Sequence, residues 1–339
     1  MSKQVDPFKK IIKRVENWNS TSNDKHQNPD QIWFPKSKSD LIYYRMMLQY
    51  CCNAQLDNIS KGNGAFFIEN DVGKLLAEKG AMTRPGVGKS NTVSQYSNET
   101  SANKPERSSF RMTNRIFRFL GLTIRHSISN SYLVTPLGFQ WAEFQGQFPS
   151  RIGNLSEKEF LAERLINFTM FAPHDQPSKW DTKFKNRLVV NILRCADKYG
   201  YITNNELAVT AFSLQKETPT SINKMLERLT QLHDGKITMI DAFKECNIDP
   251  YTKSAVTGVY DSPKVLLNFC REVGFFKDPS EKISKNIEIK KKYQKMHAYK
   301  GKERNFIPIP EVINVLTDYG REILNKEIKK KVINFEDFL

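Results

Sequence analysis

The sequence predicts a mainly α protein with small β-hairpins, an α+β chain arranged as two tandem units. Three observations predict this. Apolar residues recur at helical spacing in many segments long enough for several turns. Short β-rich runs follow the glycines that close such segments. Two distant stretches, "FRFLGL…YLVTPLGFQWAEF" and "LNFCREVGFF…FIPIPEVINVLTDYGREIL", share one grammar of helix, glycine, hairpin and closing helix.

In chain order, residues 1–39 are expected to form an N-terminal arm, and the Asn-, Ser-, Asp- and Lys-rich stretch Asn19–Asp40 at its end predicts a loop or extended segment. A helix follows from Asp40, with Leu41, Tyr44, Met47 and Leu48 on one face. A second spans Asn70–Lys79 on Val72, Leu75 and Leu76. The run Arg84-Pro85-Gly86-Val87-Gly88-Lys89-Ser90 and the polar stretch to Arg107 predict a loop. Ser108–Leu120 predicts the third helix. Phe110, Ile116, Phe117, Phe119 and Leu120 turn to the core, and Arg107, Arg111, Asn114, Arg115 and Arg118 to the surface. Gly121 stops it. Two β runs, Leu122–His126 and Ser131–Thr135, meet across a Ser-Asn turn, and Pro136-Leu137-Gly138 opens a short helix through Phe144. Helix, helix, basic helix, hairpin is the order of a winged helix-turn-helix domain, here over residues 40–150.

The order recurs over residues 151–326. Leu155–Phe168 predicts a helix opened by a Ser156-x-x-Glu159 capping box. Asn186–Lys198 and Asn204–Phe212 supply the next two helices, and residues 217–246 add two more as an insertion. Ser262–Val273 is the third-helix candidate, with Val265, Leu266, Phe269 and Cys270 inward and Gly274 ending it. Phe275-Phe276, a lysine-rich hairpin and a helix over Glu311–Lys326 complete the second unit. Residues 327–339 read as the start of a linker.

Composition sets the function classes. With 39% hydrophobic and 26% charged residues the chain is globular in type. No stretch approaches the ~20 apolar residues that span a bilayer, and the N-terminus lacks the apolar core of a signal peptide. None of the five cysteines sits in a Cys-x-x-Cys pair, which predicts reduced, buried thiols and a cytoplasmic protein. Lys and Arg exceed Asp and Glu by 52 to 37, a net +15 that calls for a polyanionic partner.

The excess is clustered. Between Arg84 and Arg125 eight basic residues face two acids, and between Lys282 and Arg304 nine face two. The first cluster covers the expected recognition helix and the loop before it; the second covers the expected wing of the second unit. Arg111, Asn114 and Arg115 suit base edges, since Arg pairs bidentately with guanine and Asn with adenine. Ser108 and Ser109, at the expected helix start, suit phosphates. Arg84, Lys89 and Arg107 before and within that helix, Lys264 on the second third-helix candidate, and Lys290, Lys291 and Lys292 in the wing complete the predicted DNA-binding set. Read without function, the same residues are solvated helix faces and a charged loop.

Other motifs fail on chemistry. Gly88-Lys89-Ser90 has Thr83 where a phosphate loop needs its first glycine, and no apolar strand precedes it. Four Asp/Glu-x-Lys spacings occur in this lysine-rich chain, at Asp181, Asp234, Glu288 and Glu327. Of these Glu288-Ile289-Lys290 alone lies in strand-like sequence with an acid, Asp278, upstream, and it falls on the predicted wing. The histidines, 26, 126, 174, 233 and 297, show no metal-ligand or Ser/His/Asp arrangement. The residues therefore predict no catalytic or metal site and no cofactor.

Three stretches carry a family resemblance: "YLVTPLGFQWAEFQGQFPS", "FKNRLVVNILRCADKYGYITNNELAVTAF" and "DSPKVLLNFCREVGFF". Together they resemble the AlwI-like type IIS restriction endonucleases and their nicking relatives, over roughly residues 40–325. The resemblance implies two winged-helix-like subdomains reading an asymmetric duplex site within a restriction–modification system. It also implies a Mg²⁺-dependent PD-(D/E)xK hydrolase domain, a nuclease, beyond the linker. The chain ends where that linker would begin. This leaves a truncated reading frame, an isolated recognition fragment, or one subunit of an enzyme completed by a separate nuclease subunit. A complete Mg²⁺-dependent endonuclease with an unrecognised site, and a tandem winged-helix replication initiator or transcription factor, are the rival readings. An RNA-binding role lacks an aromatic-rich sheet signature.

Overall fold

The computed structural model describes residues 41–79, 105–126, 131–143, 148–150, 153–167, 186–277, 306–308 and 312–329. Within these the protein is mostly helical with small antiparallel sheets. The first unit holds α1 (Leu41–Ser60), β1 (Phe67–Ile68), α2 (Glu69–Glu78), α3 (Pro105–Phe119), β2 (Thr123–Arg125), β3 (Ser131–Val134) and α4 (Pro136–Ala142). Its helices form where the apolar spacing predicts: Tyr44, Met47, Leu48 and Cys51 of α1, Val72 and Leu76 of α2, and Phe110, Ile116 and Phe117 of α3 are all buried. The sheet order is β1-β3-β2, with Phe67 opposite Tyr132 and Thr123 opposite Val134.

The corner after α3 is built from named atoms. Gly121 takes φ 72°, a left-handed conformation that glycine adopts without a Cβ penalty. This lets Leu122 N–H donate to the Phe117 carbonyl at 2.8 Å and Gly121 N–H to Arg118 at 3.0 Å, closing the helix. Thr135 then caps α4. Its hydroxyl donates to the Gly121 carbonyl at 2.8 Å and accepts from Gly138 N–H at 3.1 Å. Gly138 sits so close to β2 that a Cβ would strike the Leu122 carbonyl oxygen.

A hairpin, β4 (Phe148–Ser150) with β5 (Gly153–Leu155), leads to α5 (Glu157–Ile166), which opens on the Ser156–Glu159 capping box as predicted. The second unit holds α6 (Leu188–Tyr199), β6 (Tyr201–Ile202), α7 (Asn204–Ala208), a 3₁₀ turn (Ala211–Ser213), α8 (Pro219–His233), α9 (Met239–Glu245), α10 (Lys253–Glu272), β7 (Asn314–Val315) and α11 (Asp318–Glu327). β6 pairs antiparallel with β7, and Phe276 bridges Leu316. The corner after α10 repeats the first atom for atom. Gly274 takes φ 87°, Phe275 N–H donates to Cys270 at 2.8 Å, and Thr317 donates to the Gly274 carbonyl at 2.7 Å while capping Gly320 N–H at 3.0 Å. A Cβ on Gly320 would come within 2.6 Å of the Phe275 carbonyl oxygen.

Two boundaries differ most from expectation. The last helix starts at Asp318 rather than Glu311, because Thr317 is its cap and the residues before it pair with β6. α10 starts at Lys253 rather than Ser262 and carries Pro263 inside it. Val256 and Val259 in its added turns pack with Leu232, Met239 and Phe243 of the insertion. The expected Ser-Asn turn of the first hairpin, most of the lysine-rich hairpin, the N-terminal arm and the linker start lie outside the described residues.

One buried cluster runs from Tyr44 of α1 to Leu324 of α11, and the Tyr44 and Phe269 rings meet at 5.1 Å between centroids. Glu157 of α5 binds Arg45 of α1 at 3.1 Å and accepts from the Trp141 indole of α4 at 2.8 Å, tying α5 back to two helices of the first unit. All five cysteines are free and buried, and burial pushes Cys52, Cys195 and Cys270 up to about 12. Such thiols stay protonated and act as core side chains. No helix among the described residues is long and apolar enough to cross a membrane.

Candidate nucleic-acid interface

The third helix of each unit carries the described part of the predicted DNA-binding set. α3 begins at Pro105, three residues earlier than expected. Proline has no N–H, so Glu106 and Arg107, rather than Ser108 and Ser109, hold the unbonded N–H groups of the first turn. Arg107, Ser108, Ser109 and Arg111 all lie on α3. Arg84, Lys89, Lys290, Lys291 and Lys292 lie outside the described residues, as does Glu288.

The expected surface position of three α3 residues is corrected. Asn114 is fully buried, Arg118 is 3% exposed and Arg115 9%. Asn114 donates through Nδ2 to Glu69 Oε1 at 2.9 Å and accepts at Oδ1 from the Thr123 hydroxyl at 3.0 Å. Both ends of its amide are thus turned inward, to the first residue of α2 and the first of β2. The Arg118 guanidinium lies over the Tyr132 ring at 4.9 Å, a cation–π seat inside the unit. Sequence reasoning placed these side chains outside because polar residues on an amphipathic helix default to solvent. The partner of the Asn114 amide, the Glu69 carboxylate at the start of α2, lies forty-five residues away in sequence.

The repeated corner gives the two units a common ruler. Arg111 is the tenth residue before Gly121, and Lys264 is the tenth before Gly274. Lys264 is exposed on α10, flanked by the buried Pro263 and Val265. On the same outward row of α10, Asn268 and Arg271 are half-buried and hydrogen-bonded to each other, and Arg271 also reaches Asn314 of β7.

Away from these helices an ion cluster of largely buried side chains forms at the start of the insertion. Glu217, its side chain 3% exposed, binds Arg187 at 2.8 Å and Arg194 at 3.0 Å, while Arg187 also donates to the Glu327 carbonyl at 2.8 Å. Burial alone would raise the Glu217 carboxyl; the two arginines outweigh it and hold the group below its ordinary value. The cluster joins α6, the start of the insertion and the end of α11. Among the described residues no group of three or more His, Cys, Asp or Glu lies together to hold a metal ion. The Asp234 and Lys236 spacing is an exposed ion pair in a turn.

No protein-family model matches the chain. No curated protein matches it either. Among solved structures it is similar to restriction endonuclease FokI at 11% identity. The unbound enzyme matches over 86% of this chain and 46% of that one, with a TM-score of 0.37. The DNA-bound enzyme matches over 87% and 47%, with a TM-score of 0.39. The chain therefore spans a little under half the length of those structures.

Proposed function

We propose that each unit is a winged helix-turn-helix module and that the pair recognises a specific duplex DNA sequence, as the recognition part of a type IIS restriction endonuclease. The observation that carries the reading is the repeated corner, which sets Arg111 and the exposed Lys264 at the same place on equivalent third helices. In a winged helix that row faces the major groove, where Arg and Lys donate to guanine O6 and N7. The net charge of +15 supplies the sequence-independent attraction to phosphate. Arg84, Lys89, Arg107, Lys290, Lys291 and Lys292 are assigned to phosphates in this reading. Asn114 leaves the base-reading set, because its amide is used within the unit. The AlwI-like grouping rests on the sequence motifs alone. Cleavage and its Mg²⁺ belong in this reading to a nuclease domain other than these two units, and the protein works in the cytoplasm.

The test is selection from random duplex DNA followed by incubation of the enriched sequence with Mg²⁺. An asymmetric site, bound by a monomer and left uncut, supports the reading. A palindromic or repeated site points instead to a replication initiator or transcription factor, and cutting places a nuclease centre in this chain. On the selected site Arg111→Ala is expected to weaken specific binding roughly ten- to a hundredfold and relax one base position. Lys291→Ala is expected to weaken all sequences alike and lower the salt slope by about one.

A further inference from the structure

We propose that Asn114, with Glu69 and Thr123, is a positioning cluster that sets the rotation of α3 and so decides which side chains of that helix meet the bases. The inference rests on the DNA-recognition reading for its consequence, but its structural half stands alone. A helix seated only by aliphatic and aromatic contacts can roll by a fraction of a turn at small cost, since apolar packing is non-directional. A hydrogen bond is directional and fails when its atoms move by a few tenths of an ångström. Asn114 makes two such bonds in opposite directions, one to α2 and one to β2, from a fully buried position in the middle of α3. The helix can therefore neither roll nor slide without breaking one of them.

The second unit supplies the control. The seventh residue before its corner glycine is Leu267 rather than Asn, and the second residue after it is Phe276 rather than Thr. Both are buried. The same corner thus closes with apolar residues in these places, so the fold itself does not demand the polar cluster. Replacing a buried polar network by well-packed apolar groups is commonly neutral or stabilising, and networks of this kind can serve to select one arrangement among several. Retained in the unit whose third helix carries Arg107 and Arg111, the cluster fixes the angular position of those two residues.

The experiment compares Asn114→Leu, which installs the residue of the second unit, with Thr123→Val, which removes only the hydroxyl, and Glu69→Gln, which keeps an acceptor. Spin labels placed together at Asp57→Cys on α1 and Arg111→Cys on α3, in samples kept apart from those assayed on DNA, report the placement of α3. Unlabelled proteins are assayed for affinity to the selected duplex and to random duplex. Asn114→Leu is expected to shift or broaden the distance distribution and to lower the selected-to-random affinity ratio about tenfold, with the salt slope and the cooperative melt retained. Thr123→Val is expected to change both readouts in the same direction by a smaller factor, and Glu69→Gln to keep the wild-type ratio. Unchanged distances in Thr123→Val and Asn114→Leu overturn the positioning role whatever the DNA does. Shifted distances with an unchanged ratio also overturn the proposal. If the wild-type protein selects no duplex, the recognition reading fails, and the distances still decide whether the cluster holds α3.

Discussion

The two units place their buried polar chemistry at different joints. In the first, Glu69, Asn114 and Thr123 grip the third helix in its middle. In the second, the third helix is seated there by Leu267 and Phe276, and the polar anchor lies elsewhere, where Arg187, Arg194 and Glu217 join the first helix to the insertion and to the end of the last helix. A shared corner with divergent anchors separates what the fold needs from what each unit adds. The fold needs a left-handed glycine, a threonine cap and a glycine three residues on, because both units have them with the same bonds. The first unit adds orientation of its third helix; the second adds attachment of its insertion.

The sharpest way to break this comparison is at the ion cluster. Glu217→Ala leaves two arginines buried together and is expected to cost about 3–5 kcal/mol, read by urea unfolding. A loss below about 1 kcal/mol, the range of an exposed pair, would show that the anchor holds nothing. Because the folded Glu217 carboxyl titrates below its ordinary value of 4.5, its contribution is complete above that pH and is lost as pH falls through the lowered value. The stability of wild type should therefore fall on acidification below 4.5 more steeply than that of Glu217→Gln.

Smaller effects probe the shared corner. Gly138→Ala sets a Cβ against the Leu122 carbonyl and within 2.6 Å of Val134 Cγ1, whereas at Gly320 the nearest side-chain atom is Leu316 Cδ1 at 2.9 Å. Overpacking of this kind costs about 1–3 kcal/mol, and the first substitution is expected to lower the melting temperature more than the second. Equal shifts would mean that the first corner relaxes as freely as the other. Smallest are the caps: Thr135→Ala and Thr317→Ala should each cost about 1 kcal/mol in thermal unfolding, and a large inequality would show that the corners are not equivalent.

Much of the architecture was legible because it is written in local periodicity. Tyr44, Met47 and Leu48 mark α1, Ser156 and Glu159 mark the start of α5, and Gly121 and Gly274 mark the ends of two helices. The errors came where tertiary pairing overrode local pattern. Residues Asn314–Val315 carry helix-compatible sequence and form a strand because β6 is there to pair with them. Val256 and Val259 extend α10 past Pro263 because the insertion covers them. At the candidate interface, charge singles out α3 and α10, but Asn114, Arg115 and Arg118 were assigned to solvent on polarity alone. Burial of an amide depends on a partner forty-five residues away, Glu69, and no local spacing announces it.

Tyr44 of the first unit meets Phe269 of the second within a core shared by both, so the two are fused rather than strung like beads. Two tethered readers must search for each other's target and lose affinity with every residue of slack between them. Two readers fused through their cores meet a second half-site at once or not at all. In the proposed DNA-recognition reading such a pair measures length as well as letters, and inserting a base pair between the half-sites is expected to abolish the joint engagement while leaving each half-site's own weak binding intact.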